Sequence, residues 1–105
     1  SCELPIILDE SITDQLDYKN FKDLCDGINF KVMKSGGIRH IINQVENARK
    51  MGFTCMLGCM IESSLSISQY VKISKIFDYC DLDGAFFLKD DPFNLINVQK
   101  GMINL

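Results

Sequence analysis

The chain has 105 residues, of which 47% are hydrophobic and 24% are charged, and its formal net charge is −3. This composition is typical of one globular domain or part of one, and it lacks the basic stripe that captures nucleic acid. No apolar run reaches the roughly 18 residues that cross a bilayer, and no secretion signal opens the chain. We therefore expect a cytoplasmic protein whose partners include neither nucleic acid nor membrane.

The first half of the chain alternates strand-like and helical segments. Leu4–Leu8 is a continuous apolar run, which is typical of a buried parallel strand. Tyr18–Cys25 has one apolar face and predicts a short helix, and Ile28–Met33 predicts a second strand. Apolar residues then recur at helical spacing over Ile38–Ala48, which predicts a helix that closes at Gly52.

The second half continues this alternation. Phe53–Leu57 predicts a third strand, followed by the loop Gly58–Ser64, whose serines suit the capping of a helix. Leu65–Phe77 supplies that helix with a less regular apolar face. Asp81–Leu88 predicts a fourth strand with acidic residues at its start. The remainder, Lys89–Leu105, is expected to form an irregular tail with room for one short strand.

The order of these segments predicts parallel strands joined by right-handed helical crossovers. Four strands do not close a parallel barrel, which takes eight. The sequence therefore predicts an α/β fold that corresponds to half of a larger architecture.

Five cysteines are scattered through apolar surroundings. A small secreted disulfide scaffold would have a higher cysteine density and a poorer core pattern. Cys55 and Cys59 could form half of a metal or redox site, but no second close pair and no nearby histidine completes one. Because free cysteine packs mostly as a small hydrophobe, we expect buried, reduced, structural thiols.

Ionisable residues lie at the ends of the first two predicted strands, where parallel α/β proteins bind ligands. Asp9 offers a hard carboxylate oxygen that suits Mg²⁺, with Glu10 behind it, and the alternative is a solvated strand-end acid. Strand alternation directs Lys31 inward, where partial burial tunes a lysine toward proton transfer. An ordinary edge-strand lysine is the alternative, and Lys34 fits that alternative better.

Three further features carry weaker signals. On a strand, Asp81 and Asp83 would share a face and could bind an ammonium group, although their mutual repulsion is costly without a nearby cation. Gly36 and Gly37 could let backbone N–H groups approach an anion, and a tight strand-to-helix turn also explains them. His40, the only histidine, is expected on the polar surface of a helix.

These residues carry a resemblance to a known family. The chain resembles the C-terminal part of the muconate-lactonizing-enzyme subgroup of the enolase superfamily, and within it the dipeptide epimerases that act on L-Ala-D/L-Glu. The matching motifs extend over nearly the whole chain and are Asp9-Glu10-Ser11, residues 29–37, residues 56–64 and Asp81-Leu82-Asp83-Gly84. The first two motifs are shared across the subgroup, whereas the last two are more specific for dipeptide epimerases.

The resemblance implies a (β/α)₇β barrel, similar to a TIM barrel, with a separate α+β capping domain. Residues 1–88 would form the C-terminal half of the barrel domain, with four parallel strands alternating with helices. Residues 89–105 would be a C-terminal tail that packs on the barrel or on the capping domain. The expected partners are the missing N-terminal half of the barrel, the capping domain, a small acidic dipeptide as substrate and, for the open half-barrel, a second copy of the chain.

The resemblance also implies a role for each site residue. Asp9 matches the third carboxylate ligand of Mg²⁺, and Lys31 matches one of two opposed acid/base lysines. Asp81 and Asp83 match the residues that bind the dipeptide's ammonium group. The wall beside the substrate carboxylate is matched by one loop, which consists of Cys59, Met60, Ile61 and Glu62.

The implied reaction is the Mg²⁺-dependent epimerisation of acidic dipeptides in cell-wall peptide recycling. The proton α to a carboxylate is removed and returned through an ene-diolate, while a divalent cation neutralises the developing charge. Because the opposed lysine and two metal ligands have no match here, the isolated chain is expected to be inactive. The alternatives are N-acylamino acid racemase, o-succinylbenzoate synthase, muconate cycloisomerase, or a non-catalytic half-barrel that associates with another polypeptide.

Overall fold

The computed structural model describes residues 3–9 and 18–105. Its strands are β1 (Ile7–Leu8), β2 (Gly27–Lys31), β3 (Thr54–Gly58), β4 (Tyr79–Cys80), β5 (Asn97–Gln99) and β6 (Met102–Asn104), and its α-helices are α1 (Ile38–Lys50) and α2 (Ser64–Ile73). Short 3₁₀ helices cover Tyr18–Phe21, Ser74–Ile76 and Gly84–Phe87. Cys2, Glu10 and Ser11 lie outside the described residues.

One parallel sheet contains the first four strands in the order β1-β2-β3-β4. Lys31 pairs with Gly58, and Leu57 pairs with Cys80, so the carboxyl ends of the strands lie along one edge. The predicted α/β architecture, with four parallel strands alternating with helices in an unclosed sheet, is confirmed. Within residues 3–9 and 18–105, neither α-helix has the length and apolar content needed to span a membrane.

The core lies on one face of this sheet. Alternate residues of β2 and β3 are fully buried there, and they pack in one cluster with apolar residues of both helices. At its centre the ring of Phe30 lies 6.2 Å from that of Tyr18 and 6.3 Å from that of Phe77. The intervening residues of β2, Asn29 and Lys31, project from the opposite face. Burial of one face thus fixes which side chains remain for a site on the other.

The helix α1 matches its prediction. It spans Ile38–Lys50, and Gly52 follows it with a φ of 87°. Gly36 and Gly37 have φ angles of 77° and 114°, which glycine adopts far more readily than other residues, so they serve the turn into α1. His40 is exposed, as expected.

The bounds of the first two strands and the element between them are wrong. The first strand is reduced to Ile7–Leu8 because only these residues pair with β2. In place of the helix Tyr18–Cys25, the described residues form a 3₁₀ turn at Tyr18–Phe21. The second strand ends at Lys31 rather than Met33, since the carbonyl of Lys31 accepts the turn-forming N–H groups that follow it.

The predicted strand Asp81–Leu88 is also wrong. The fourth strand is Tyr79–Cys80, and Gly84–Phe87 is a 3₁₀ helix in which the N–H of Phe86 donates to the carbonyl of Asp83. The apolar run misled the prediction because Phe86 and Phe87 are exposed rather than buried in the sheet. Consequently Asp81 and Asp83 follow the carboxyl end of the last parallel strand instead of starting it.

Later elements differ from their predictions in smaller ways. The helix α2 ends at Ile73, and a 3₁₀ turn replaces its predicted last residues. Ser63 caps α2 through a hydrogen bond that its Oγ accepts from the N–H of Ser66 at 3.5 Å. The tail contains two short strands, which form the antiparallel hairpin β5–β6. Buried thiols are confirmed for Cys25 and Cys55, but Cys59 is half-buried and Cys80 is exposed.

Asp91 connects the tail to the start of α2. Its carboxylate accepts hydrogen bonds from the N–H of Ser64 at 2.9 Å and from the N–H of Phe93 at 3.2 Å. The N–H of Leu95 donates in turn to Ser64 Oγ at 2.9 Å. A hydrogen bond from the Ser64 side chain is the largest influence that holds the pKa of the Asp91 carboxyl below its usual range.

Acid should therefore weaken the fold through Asp91. A carboxyl whose folded-state pKa lies below its unfolded value of about 4 stabilises the fold above that value, and this stabilisation is lost as the pH falls through the folded pKa. Asp91→Asn should lower the unfolding temperature near neutral pH and reduce its dependence on acid. The check is thermal unfolding measured from neutral pH down through the folded-state pKa of Asp91, with Asp90→Asn as the control. Identical curves for the two variants would contradict it.

Candidate functional site

The carboxyl edge of the parallel sheet gathers the residues singled out from the sequence. They are contributed by the end of every parallel strand: Asp9 follows β1, Lys31 ends β2, Cys59 follows β3 and Asp81 follows β4. The parallel pairing brings these ends together along one edge. This is the edge at which parallel α/β proteins bind ligands.

Asp9 and Lys31 form an ion pair at this edge. Lys31 Nζ lies 2.8 Å from Asp9 Oδ1 and donates a hydrogen bond to Oδ2 at 3.0 Å. The Lys31 side chain is only 10% exposed, whereas that of Asp9 is 42% exposed. The carboxylate stabilises the ammonium at a position with little water, so a charged lysine can be held facing the site.

A cavity of about 250 Å³ opens beside Lys31. Its lining includes five of the residues predicted for the site, together with two that were not, and consists of Lys31, Cys59, Met60, Ile61, Asp83, Gly84 and Phe87. The cationic side chain of Lys31 and the anionic side chain of Asp83 thus border one cavity, whose remaining walls are largely apolar. A zwitterionic organic molecule of modest size matches this arrangement.

Asp81 and Asp83 take different positions on either side of the buried Leu82. The N–H of Asp81 donates to the carbonyl of Leu57 at 2.8 Å, which continues the pairing beyond β4. Both residues are exposed, but Asp83 lines the cavity beside Lys31 and also an adjacent one of about 330 Å³, whereas Asp81 lines the adjacent cavity and not the one beside Lys31. Of these two aspartates, Asp83 is therefore the one that shares a cavity with Lys31.

Glu62 does not line the cavity. Its Oε1 accepts a hydrogen bond from the N–H of Met60 at 3.2 Å, and its Oε2 accepts one from the hydroxyl of Tyr70 on α2. Burial and the neighbouring carboxylate raise the pKa of Tyr70 above its usual value. Tyr70 was not among the predicted site residues. In the sequence Tyr70 is one of the apolar positions of the predicted helix, and this pattern indicates packing in the core but no role at the site.

Gly84 lies against the loop that carries Cys59 and Met60. Its N–H donates to Cys59 Sγ at 3.3 Å, and a Cβ at this position would lie 1.9 Å from the carbonyl oxygen of Met60. Burial raises the pKa of the Cys59 thiol, and the carboxylates of Asp83 and Asp81 add to this effect. The thiol is therefore a packing and hydrogen-bonding group rather than a nucleophile.

Asn29 lies beside Lys31 on the same face of β2. Its side chain occupies the space over Gly58, where a Cβ would lie 2.6 Å from Asn29 Oδ1. Asn29 is buried, and its Oδ1 accepts no hydrogen bond in the part of the chain that the structure describes. Asn29 lies within the motif at residues 29–37 but was not among the predicted site residues.

Asp9 is the residue here that could contribute to a magnesium site. In residues 3–9 and 18–105, no three His, Cys, Asp or Glu side chains are grouped closely enough to hold a metal ion. However, the Asp9 side chain is 42% exposed, and its oxygen Oδ1, which lies 2.8 Å from Lys31 Nζ, belongs to a carboxylate. Such an oxygen is the hard donor that Mg²⁺ prefers, so Asp9 fits the ion as one ligand and not as a complete site.

Comparison with known proteins identifies relatives of this fold. The hydrophobic dipeptide epimerase of Roseobacter litoralis is 44% identical over 99 residues, which are 94% of this chain and 29% of that protein. A solved L-Ala-D/L-Glu epimerase superposes with a TM-score of 0.88 at 32% identity, covering 97% of this chain and 32% of that one. The dipeptide epimerase of Cytophaga hutchinsonii, solved with Mg and the dipeptide D-Ala-L-Val, gives a TM-score of 0.82 at 28% identity, over 97% of this chain and 29% of that one.

The chain thus spans about 30% of the length of these relatives. The family described as "Enolase C-terminal domain-like" matches residues 1–105, which is the whole chain. The resemblance drawn from the motifs is confirmed at this level. With its parallel strands and the site edge that they share, the chain belongs to the enolase C-terminal domain-like family.

Proposed function

We propose that this chain is the C-terminal part of the barrel of a Mg²⁺-dependent dipeptide epimerase. The observation that carries this proposal is that Lys31, Asp83 and the loop at residues 59–61 border the same cavity. These residues come from three different strand ends, as expected where a barrel edge builds one site. The similarity of the chain to dipeptide epimerases supports the same assignment.

Lys31 is the proposed acid/base group. It ends β2, is only 10% exposed, and its ammonium is oriented by Asp9. In its neutral amine form a lysine so placed can take the proton from the α-carbon on one face of the substrate, and in its ammonium form it can return a proton from Nζ. Inversion also needs a second group on the opposite face, which we assign to the N-terminal part of the barrel.

Asp9 is the proposed metal ligand. Its carboxylate is 42% exposed, and an oxygen that contacts Lys31 Nζ could be shared with a divalent cation. When bound, Mg²⁺ would neutralise the negative charge that develops on the substrate carboxylate as the proton leaves. We assign the remaining ligands to the N-terminal part of the barrel. We also propose that residues 89–105 pack on the barrel or its capping domain.

The proposed substrates are dipeptides, with an acidic one such as L-Ala-L-Glu as the first candidate. Asp83 would bind the ammonium group, with Asp81 beside it, and the loop Cys59–Glu62 would form the wall beside the substrate carboxylate. In the described residues this wall presents the apolar side chains of Met60 and Ile61 to the cavity. Dipeptides with an apolar second residue therefore belong in the same test. The proposed setting is cell-wall peptide recycling in the cytoplasm.

Removal of one charge tests the assignment of Asp83. Asp83→Asn in the complete enzyme should raise KM for a dipeptide about 10- to 100-fold, because a hydrogen bond to a charged group contributes about 1.5–3 kcal/mol. Steady-state kinetics with Asp90→Asn as the control check this expectation. An unchanged KM would place the ammonium group elsewhere.

Direct epimerisation tests the function as a whole. The complete enzyme, incubated with L-Ala-L-Glu, should produce L-Ala-D-Glu, and removal of Mg²⁺ with a chelator should stop the reaction reversibly. If acidic and apolar dipeptides both fail while an N-acylamino acid is racemised, the family assignment stands and the substrate class proposed here is wrong.

A further inference from the structure

The loop between β3 and α2 is fixed from inside the protein by a buried pair of side chains. We propose that Tyr70, acting through Glu62, is a positioning residue that holds the substrate-facing loop Met60–Ile61 in place. This role rests on the proposed function, because the loop matters as part of the epimerase site. It assigns Glu62 to the support of the loop rather than to contact with the substrate.

Both carboxylate oxygens of Glu62 accept hydrogen bonds from within the protein. The residue is only 8% exposed, so its carboxylate lies where an unpaired charge would be costly. One oxygen accepts the N–H of Met60 at 3.2 Å, and the other accepts the hydroxyl of Tyr70. The carboxylate therefore joins the backbone of the loop to the helix behind it.

Tyr70 provides the fixed end of this connection. It lies on α2, is 5% exposed, and packs in the same apolar cluster as Ile67 and Leu57. A ring so enclosed cannot rotate away without disturbing the core, so the position of its hydroxyl is set by α2. The hydroxyl in turn sets the position of Glu62.

The opposite side of the loop is held by the 3₁₀ helix that follows Asp83. The N–H of Gly84 donates to Cys59 Sγ at 3.3 Å, and the backbone of Gly84 lies directly against the carbonyl of Met60. The loop is thus enclosed between α2 and the segment that carries Asp83. Its two outer side chains, Met60 and Ile61, are 40% and 66% exposed and line the cavity with Lys31.

Loss of the Tyr70 hydroxyl should therefore affect binding more than proton transfer. Tyr70→Phe retains the buried ring and leaves one carboxylate oxygen of Glu62 without its donor. The loop should then sample positions in which Met60 and Ile61 no longer border the substrate. Lys31 lies on a separate strand and is held by Asp9, so its proton transfer should persist.

The experiment combines kinetics with amide hydrogen exchange on the complete enzyme. For Tyr70→Phe we expect KM for the dipeptide to rise about 15- to 30-fold, within the range of losing a hydrogen bond to a charged group, while kcat changes less than about threefold. Exchange in a peptide covering residues 59–62 should accelerate. Glu62→Gln should produce the same pattern, and the double variant should be no worse than the more affected single variant.

Tyr18→Phe is the matched control, because Tyr18 is also buried but contacts Phe30 in the core rather than the loop. Unchanged KM and unchanged exchange in Tyr70→Phe would overturn the inference, and so would equal effects in Tyr18→Phe. If the enzyme turns over no dipeptide at all, the proposed function fails separately. The exchange result then decides alone, since faster exchange at residues 59–62 supports the connection and unchanged exchange refutes it.

Discussion

Lys31→Ala in the complete enzyme should lower the rate of epimerisation by about 10²- to 10⁴-fold or more, the range measured for loss of a general acid/base group. The reason is that one face of the substrate would have no group to take or return the α-proton. The loss should appear in kcat more than in KM, because the ammonium site of Asp83 and the loop at residues 59–61 remain. Steady-state kinetics, with circular dichroism to verify folding, measure this effect.

Lys34→Ala is the control for this substitution. Lys34 lies in the turn after β2, where its N–H donates to the carbonyl of Lys31 at 3.0 Å, and it does not line the cavity beside Lys31. Its loss should change kcat by less than about threefold, as expected for a residue outside the chemistry. Equal losses for Lys31→Ala and Lys34→Ala would mean that the lysine assignment is wrong.

Gly84→Ala should be the most disruptive small substitution at the site. Its Cβ would lie 1.9 Å from the carbonyl oxygen of Met60, a backbone atom that cannot rotate away. Either the loop or the 3₁₀ helix must move, and overpacking of this kind costs about 2–3 kcal/mol. Because both segments border the cavity, we expect a lower free energy of unfolding together with a raised KM.

Gly52→Ala separates the steric effect from backbone strain. Gly52 has a φ of 87°, but a Cβ there would meet no atom within 4 Å, and the residue lies after α1, away from the cavity. This variant should lose about 1 kcal/mol from strain in the left-handed region and keep its KM. If Gly84→Ala behaves like Gly52→Ala, close contact between the loop and the 3₁₀ helix does not support the site.

Elements could be predicted from the sequence where the spacing of apolar residues matches the buried face of the element. The helix α1 was placed correctly because a regular apolar face and its flanking glycines agree, and the first three parallel strands were recognised from their apolar runs, although their bounds differ. The fourth strand was misplaced because Ala-Phe-Phe-Leu at residues 85–88 has the composition of a buried strand. There the chain turns after Leu82, and both phenylalanines remain exposed.

The site was predictable where it depends on strand ends. Asp9 and Lys31 could be expected to meet because parallel strands align their carboxyl ends, and the structure places them 2.8 Å apart. The support of the loop could not be predicted. Whether Glu62 faces a ligand or Tyr70 depends on the packing of α2 against β3, which motif spacing does not encode.

Deuterium incorporation at the α-carbon is the most direct test of the central claim. The complete enzyme with Mg²⁺ in D₂O should exchange the α-proton of the second residue of a dipeptide, starting from either epimer, and Lys31→Ala should abolish exchange from one epimer. Proton NMR follows both reactions. The absence of Mg²⁺-dependent exchange with acidic and apolar dipeptides alike would contradict the assignment of this chain to a dipeptide epimerase.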